Sequence, residues 1–104
     1  MKMIVYQMLG TSGEIADRLH KPFDILKREG KTPDLSMYAC VFRGCVEAET
    51  LYEAVQQFNS GDYFPKNFLG RPYMSVSDII CVDESKIVKP RYYYVDMFGF
   101  REVQ

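Results

Sequence analysis

Two neighbouring stretches decide the fold of this chain: Met74-Ser75-Val76-Ser77-Asp78-Ile79-Ile80-Cys81-Val82, and Tyr92-Tyr93-Tyr94-Val95-Asp96-Met97-Phe98-Gly99-Phe100. Each contains a short run of β-branched or aromatic residues, which is the composition typical of a strand. Polar and turn-forming residues precede the first run and follow the second. The pattern therefore predicts two adjacent strands bounded by structured turns.

The rest of the chain adds further strands and two helices. Gln7 is the single polar member of an apolar first strand, and Thr50 with Glu53 has the spacing of a capping box. Gly30 and Gly44 mark the ends of the first helix and the second strand. Strands are predicted over residues 3–9, 37–43, 77–82, 91–96 and 100–103, and helices over 22–29 and 47–59. The order predicts an α+β class, with a small mixed or antiparallel sheet of four to five strands packed against two or three helices.

The 104 residues are expected to form a single domain, residues 1–104. The longest apolar runs are far shorter than the roughly 20 residues of a membrane helix, so no membrane segment is predicted. The first residues read as a strand and lack the features of a signal peptide. An odd set of three cysteines is typical of free thiols in a reducing compartment, and we expect a cytoplasmic protein.

The polar residues of the two opening stretches are candidates for structural turns. In a Ser-x-Ser-Asp step before a strand, the side chains can accept hydrogen bonds from loop backbone N–H groups. A substrate-binding corner is the alternative. The residues predicted to form structural turns are Ser75, Ser77, Asp78, Asp96 and Gly99.

A small thiol- or serine-dependent enzyme is one alternative function. The lone His20 could serve Cys45 or Ser77 only through the fold, and Ser77 lacks the Gly-x-Ser-x-Gly elbow that exposes a nucleophilic serine. No catalytic residue is therefore predicted. The three cysteines have no Cys-x-x-Cys spacing, so no metal or other cofactor is predicted. Cys40 and Cys81 are expected in the core, and Cys45 at the surface.

A second alternative is a nucleic-acid-binding accessory protein that uses a basic face around the first helix. Acidic residues interleave with the basic ones there, and the net charge of the chain is −1. That pattern is more typical of a solvated, ion-paired surface than of a phosphate-binding one. The candidate residues for nucleic-acid contact are Arg18, Lys21, Lys27, Arg28 and Lys31.

The tyrosine strand gives the leading functional hypothesis, a non-catalytic module that binds another protein. Strand alternation sends Tyr92 and Tyr94 to one face and Tyr93 to the other. Tyrosine is a favoured interface anchor, and Tyr63 and Tyr73 in the preceding loop could extend the same patch. The predicted contact residues are therefore Tyr63, Tyr73, Tyr92 and Tyr94. The partner can also be a second copy of the chain.

The sequence resembles the YodL-like domain family, most clearly in its C-terminal half. The residues that carry the resemblance are Leu51-Tyr52, Phe58-Asn59, Gly70, Ser75–Ile80 and Tyr93–Phe100. Between residues 60 and 66 an aromatic stretch replaces the His-Pro pair of the family pattern. The resemblance implies a small protein or appended domain from bacteria and their conjugative or phage-like elements. It implies an accessory or anti-defence role, exerted by binding a host protein complex, and supplies no catalytic or binding residues.

Overall fold

The computed structural model of the chain describes residues 1–60, 67–84 and 89–103. These residues form one antiparallel sheet with the strand order β2-β1-β3-β4-β5, and three short helices. The strands are β1 Lys2–Gln7, β2 Ala39–Cys45, β3 Ile79–Val82, β4 Arg91–Val95 and β5 Phe100–Val103. The helices are α1 Gly13–Ala16, α2 Phe23–Arg28 and α3 Leu51–Asn59, with a 3₁₀ turn at Leu35–Met37. The predicted α+β class is confirmed, and the sheet is antiparallel throughout.

The sheet buries apolar side chains on both faces because residues alternate along each strand. On the α3 face, Met3 and Val5 of β1 pack with Phe58 of α3. On the opposite, α2 face, Ile79 and Tyr94 pack with Leu26, as the second buried cluster of the fold.

Aromatic rings form the centre of the α3 face. Phe42 and Phe58 meet edge-on with centroids 5.4 Å apart, and Phe68 lies 6.1 Å from Phe42 and 5.6 Å from Phe58. Each buried phenylalanine contributes about 1.5–3 kcal/mol relative to exposure. The predicted cap of α3 is confirmed, since Thr50 Oγ1 accepts from the Glu53 N–H at 3.1 Å. This face therefore holds the loop from residue 67 onward against α3 and the sheet.

Strand β2 differs from the prediction because it contains one extra residue. Val5 lies opposite Phe42 whereas Tyr6 lies opposite Cys40, which leaves Val41 unpaired, as in a β-bulge. Because of the bulge, Val41 and Phe42 are both buried. The residues before Val41 therefore face the opposite side of the sheet from the one that simple alternation predicts. The expectation that Cys40 is a core thiol is wrong, since the bulge turns it outward and it is exposed. The strand also continues through Gly44, where it was predicted to stop.

Helix α2 ends close to the predicted position. Gly30 adopts a φ of +77°, which glycine tolerates without strain. Its N–H donates to the Lys27 carbonyl at 3.0 Å, and the Lys31 N–H donates to the Leu26 carbonyl at 3.1 Å, which is the Schellman arrangement. The backbone of Lys31, the basic residue that follows, is thereby held beside the helix end.

Candidate functional site

The Ser75–Asp78 step ends in two buried residues, Ser77 and Asp78. It forms part of a polar cluster, here called the polar clamp and made of Gln7, Arg71, Ser75 and Asp78. The Asp78 side chain is fully buried. Its Oδ2 accepts from the Ser75 N–H at 3.0 Å and from Gln7 Nε2 at 3.1 Å. Its Oδ1 accepts from the Arg71 guanidinium at 3.3 Å. Asp78 thus accepts a backbone bond within its own turn, and its other bonds reach residues outside that turn.

Gln7 connects the polar clamp to β1. Its Nε2 also donates to the Tyr73 carbonyl at 2.9 Å, and its Oε1 accepts from the Arg71 N–H at 2.8 Å. Arg71 in turn donates to the Met8 carbonyl at 2.9 Å. Residue 70 lies close beside this amide and has no room for a side chain, because a Cβ there would lie 2.7 Å from Val41 Cγ1. Glycine, which has no Cβ, avoids this clash. The clamp thus ties residues 70–78 to the end of β1, a connection that sequence patterns did not reveal.

The electrostatics of the clamp are dominated by desolvation. Burial raises the pKa of Asp78 to about 6, although the Ser75 N–H, the Gln7 amide and the Arg71 guanidinium favour the charged form. A raised pKa is a common property of catalytic carboxylates. A carboxylate closed off from solvent, however, has no access to a substrate. The geometry therefore assigns Asp78 to structure.

Ser77 is also committed to structure. It is buried with a φ of +86°, and its Oγ accepts from the backbone N–H of His20 at 3.0 Å. The Tyr38 hydroxyl donates to the Ser77 carbonyl at 2.7 Å. The bond from His20 comes from its main chain and not from its imidazole, so these contacts do not build a serine–histidine pair.

The second polar turn, at Asp96–Gly99, points outward. Asp96 Oδ1 accepts from the Met97 N–H at 2.9 Å and from the Phe23 N–H of α2 at 3.2 Å. The Asp96 N–H donates to the Gly99 carbonyl at 3.0 Å, and Gly99 has a φ of +88°. Asp96 and Gly99 therefore form the predicted structural turn.

This turn carries two exposed apolar residues, here called the hairpin tip. Met97 is 61% exposed and Phe98 is 93% exposed. The base of the hairpin is attached to α2, since Arg101 pairs with Asp24 at 2.7 Å and lies 4.7 Å above the Phe23 ring. The tip is therefore held by the contacts of its base. We did not predict it from the sequence, where Met97 and Phe98 lay between two predicted strands and had no assigned role.

The predicted tyrosine patch is not assembled by the fold. Tyr94 is fully buried, its hydroxyl donates to the Lys21 carbonyl at 2.6 Å, and burial raises its pKa to about 12. Its prediction as a surface contact is wrong because α2 covers that part of the sheet. Tyr92 is half-buried on the α2 face beside Tyr6, with centroids 6.4 Å apart. Tyr73 is 43% exposed in the loop on the α3 side, and Tyr63 lies outside the described residues.

The basic face around α2 carries ion pairs and backbone contacts. Glu29 pairs with Lys21 at 2.6 Å and with Lys31 at 3.5 Å, and the hydrogen bond from Lys21 keeps the pKa of Glu29 below its ordinary value. Arg18 donates to the Thr32 carbonyl at 2.7 Å. Lys27 and Arg28 are the exposed members in the last turn of α2. The charge of this surface is thus largely balanced locally.

Two open clefts flank α3. One of about 520 Å³ is lined by Glu53, Gln56, Gln57, Asn59 and Ser60. The other, of about 640 Å³, is lined by Cys45, Val46, Glu47 and Gln57. The exposure predicted for Cys45 is confirmed, while Cys81 is buried as expected. In the part of the chain that the structure describes, no cluster of three or more His, Cys, Asp or Glu side chains is placed to hold a metal ion, and no helix is long and apolar enough to cross a membrane.

Comparison with known proteins places the chain in a family. The sequence model of one family, described as the YodL-like domain, matches residues 2–104. No curated protein and no solved structure matches the chain. The matched range includes both the polar clamp and the hairpin tip. Because the match covers nearly the whole length, this chain belongs to the YodL-like domain family.

Proposed function

We propose that this domain acts without catalysis, by binding another protein, and that the hairpin tip is its main contact. The observation that carries the proposal is the 93% exposure of Phe98 on a turn braced by the side chain of Asp96. A rigid aromatic side chain that is already presented to solvent loses little entropy when it enters a pocket. Large apolar anchors of this kind dominate the binding energy of many interfaces.

The charges of the domain support a protein partner over a nucleic acid. Net charge is −1, and the basic face is largely paired with Glu29 and with backbone carbonyls. Lys27 and Arg28 alone form too small a footprint for a phosphate backbone. The nucleic-acid alternative therefore receives less support than protein binding.

The expected setting is the bacterial cytoplasm. The three free thiols support a reducing compartment. The resemblance to proteins of conjugative and phage-like elements supports a host protein complex as the class of target. In this proposal the domain is an accessory or anti-defence factor that docks on such a complex.

The test is capture of partners from a lysate of the cells in which the protein occurs. Phe98→Ser is compared with Tyr52→Ser, a matched control because Tyr52 is 64% exposed on α3, away from the tip. Loss of a central anchor of about 2 kcal/mol weakens binding by about 30-fold. We expect Phe98→Ser to lose a protein that wild type and Tyr52→Ser both retain. Equal capture by all three folded proteins would contradict the proposal.

A further inference from the structure

The two edge strands of the sheet, β2 and β5, differ in whether their outer backbone groups are hydrogen-bonded. Along β2, the Val41 carbonyl accepts from the Leu69 N–H at 2.7 Å, and the Arg43 carbonyl accepts from Asn67 Nδ2 at 3.3 Å. Residues 67–69 thus cover that edge. Within residues 1–60, 67–84 and 89–103, no backbone or side-chain group is bonded to the outer backbone of β5. An edge of this kind can template an added strand.

The direction of the β5 backbone groups follows from the bonds of β4. The Val95 N–H donates to the Asp78 carbonyl at 2.8 Å, and the Val95 carbonyl accepts from the Ser77 N–H at 2.9 Å. Val95 therefore faces β3, and its neighbour Tyr94 faces β5. Tyr94 lies opposite Arg101, so the backbone groups of Arg101 point toward β4.

Alternation then turns the N–H and C=O groups of Phe100 and Glu102 away from the sheet. The side chains of Arg101 and Glu102 are exposed on opposite faces. Arg101 is already paired with Asp24. The Glu102 carboxylate has no ion-pair partner among the described residues, so a basic group beside it would be favourable.

A second copy of the chain is a poor occupant of this edge. Antiparallel pairing of two β5 strands about a two-fold axis centres on a residue of β5. The registers centred on Phe100 or Val103 pair only one residue of β5 with β5 of the second copy, whereas those centred on Arg101 or Glu102 pair three. The register centred on Arg101 places it opposite Arg101 of the second copy, and the register centred on Glu102 places two glutamates together. Like charges directly opposite each other destabilise a strand pair. The occupant is therefore a different chain.

We propose that the β5 edge accepts an extended segment of another protein as a sixth strand, with a basic residue of that segment opposite Glu102. The inference rests on the proposed function and names the kind of partner. Backbone bonds to Phe100 and Glu102 supply the register, as in other cases of strand addition. Because Phe98 leads directly into β5, a segment that runs along the edge also reaches the hairpin tip.

The first experiment uses a displayed library of random twelve-residue peptides, selected on the 104-residue chain. Backbone amide exchange is then measured with and without each selected synthetic peptide. The proposal predicts at least tenfold slower exchange at Phe100 and Glu102, and a basic residue in the selected peptides. It also predicts that Glu102→Lys weakens binding at least tenfold, and that exchanging the peptide's basic residue for Glu restores it. A selection in which no peptide slows these two amides overturns the proposal.

A second set of variants separates the edge from the tip. Glu102→Pro removes an outward N–H while leaving the bonds to β4 in place, and proline is tolerated at such edge positions. We expect this variant to bind the peptide at least tenfold more weakly, and thermal melting checks that it folds. If it does not fold, N-methylation of the peptide backbone must weaken binding by the same factor. If Phe98→Ser abolishes capture from lysate but Glu102→Pro has no effect on peptide binding, the edge proposal fails and the proposed function stands. If the peptides bind β5 and no partner depends on Phe98, the proposed function fails.

Discussion

The two polar turns of this domain use the same chemistry in opposite settings. Asp78 and Asp96 each precede or follow a central strand, and each accepts a main-chain N–H near in sequence and a second bond from a distant element. Asp78 is fully buried and holds residues 70–78 against β1. Asp96 is half-buried and closes a turn that carries two exposed apolar side chains, Met97 and Phe98.

In our proposal, this difference in burial separates residues that stabilise the fold from residues that contact a partner. A buried carboxylate with three donors is costly to disturb, because each donor loses its acceptor inside the protein. A half-buried aspartate that braces an exposed phenylalanine contributes little to the core. We therefore assign the polar clamp to stability, whereas binding by the hairpin tip is our proposal.

The largest expected effect comes from Asp78→Ala. It leaves the Gln7 amide, the Ser75 N–H and the Arg71 guanidinium without their buried acceptor. Breaking a buried charge pair costs about 3–5 kcal/mol. In urea unfolding, Asp96→Ala serves as the matched control, with an expected loss of about 1 kcal/mol because its bonds are near the surface. Equal losses for the two variants would remove the distinction between the turns.

The pH dependence of stability tests the same carboxylate without a truncation. The pKa of Asp78 rises from an ordinary 3.8 to about 6 in the folded protein. Between these values the folded chain holds a proton that the unfolded chain has released, so this group's contribution to stability falls as pH rises through the window. The fall is about 3 kcal/mol at most. The difference in the free energy of unfolding between wild type and Asp78→Asn isolates this contribution. If that difference does not change from pH 4 to 6, the raised pKa of Asp78 is contradicted.

A smaller effect is expected at Gly70, which touches the polar clamp from outside. Gly70→Ala brings a methyl group to within 2.7 Å of Val41 Cγ1 and against Gln7 Oε1. Overpacking of this kind costs about 1–3 kcal/mol. Gly13→Ala is the control, because nothing lies within 4 Å of a Cβ there. Thermal melting should separate them; a neutral Gly70→Ala would mean that the loop moves away easily.

The smallest effect on stability is expected at the hairpin tip. Phe98→Ser changes a side chain that is 93% exposed, so the free energy of unfolding should stay within about 0.5 kcal/mol of wild type. Urea unfolding measures this directly. A loss above 1 kcal/mol would show that Phe98 packs in the fold and is not held free for a partner.

Local patterns predicted most of the fold. Gly30 marked the end of α2, and the capping pair Thr50–Glu53 was identified correctly, although α3 begins at Leu51 and not at the predicted residue 47. The alternation predicted for β2 was wrong because a bulge leaves Val41 unpaired as an extra residue. No glycine or proline marks the position of this bulge in the sequence. The prediction of Tyr94 as a surface residue failed because alternation divides two faces but does not say which of them α2 covers.

The functional residues were harder to anticipate. Gln7 looked like an isolated polar member of an apolar strand, and its bonds to residues 71, 73 and 78 span more than 60 positions in sequence. A polar side chain in a buried strand needs hydrogen-bond partners, so the single glutamine of this apolar strand was itself a signal. Met97 and Phe98 gave no such signal, because their position between two strands does not show whether their side chains pack on the domain or face solvent.

The most direct test of the hairpin tip as the contact surface is site-specific photocrosslinking in cells. A benzoyl-phenylalanine is incorporated in place of Phe98 in one sample and in place of Tyr52 in another, both of which are exposed positions. We expect a covalent adduct with a cellular protein from position 98 and none from position 52. An absent adduct at 98, or the same adduct from both positions, would contradict it.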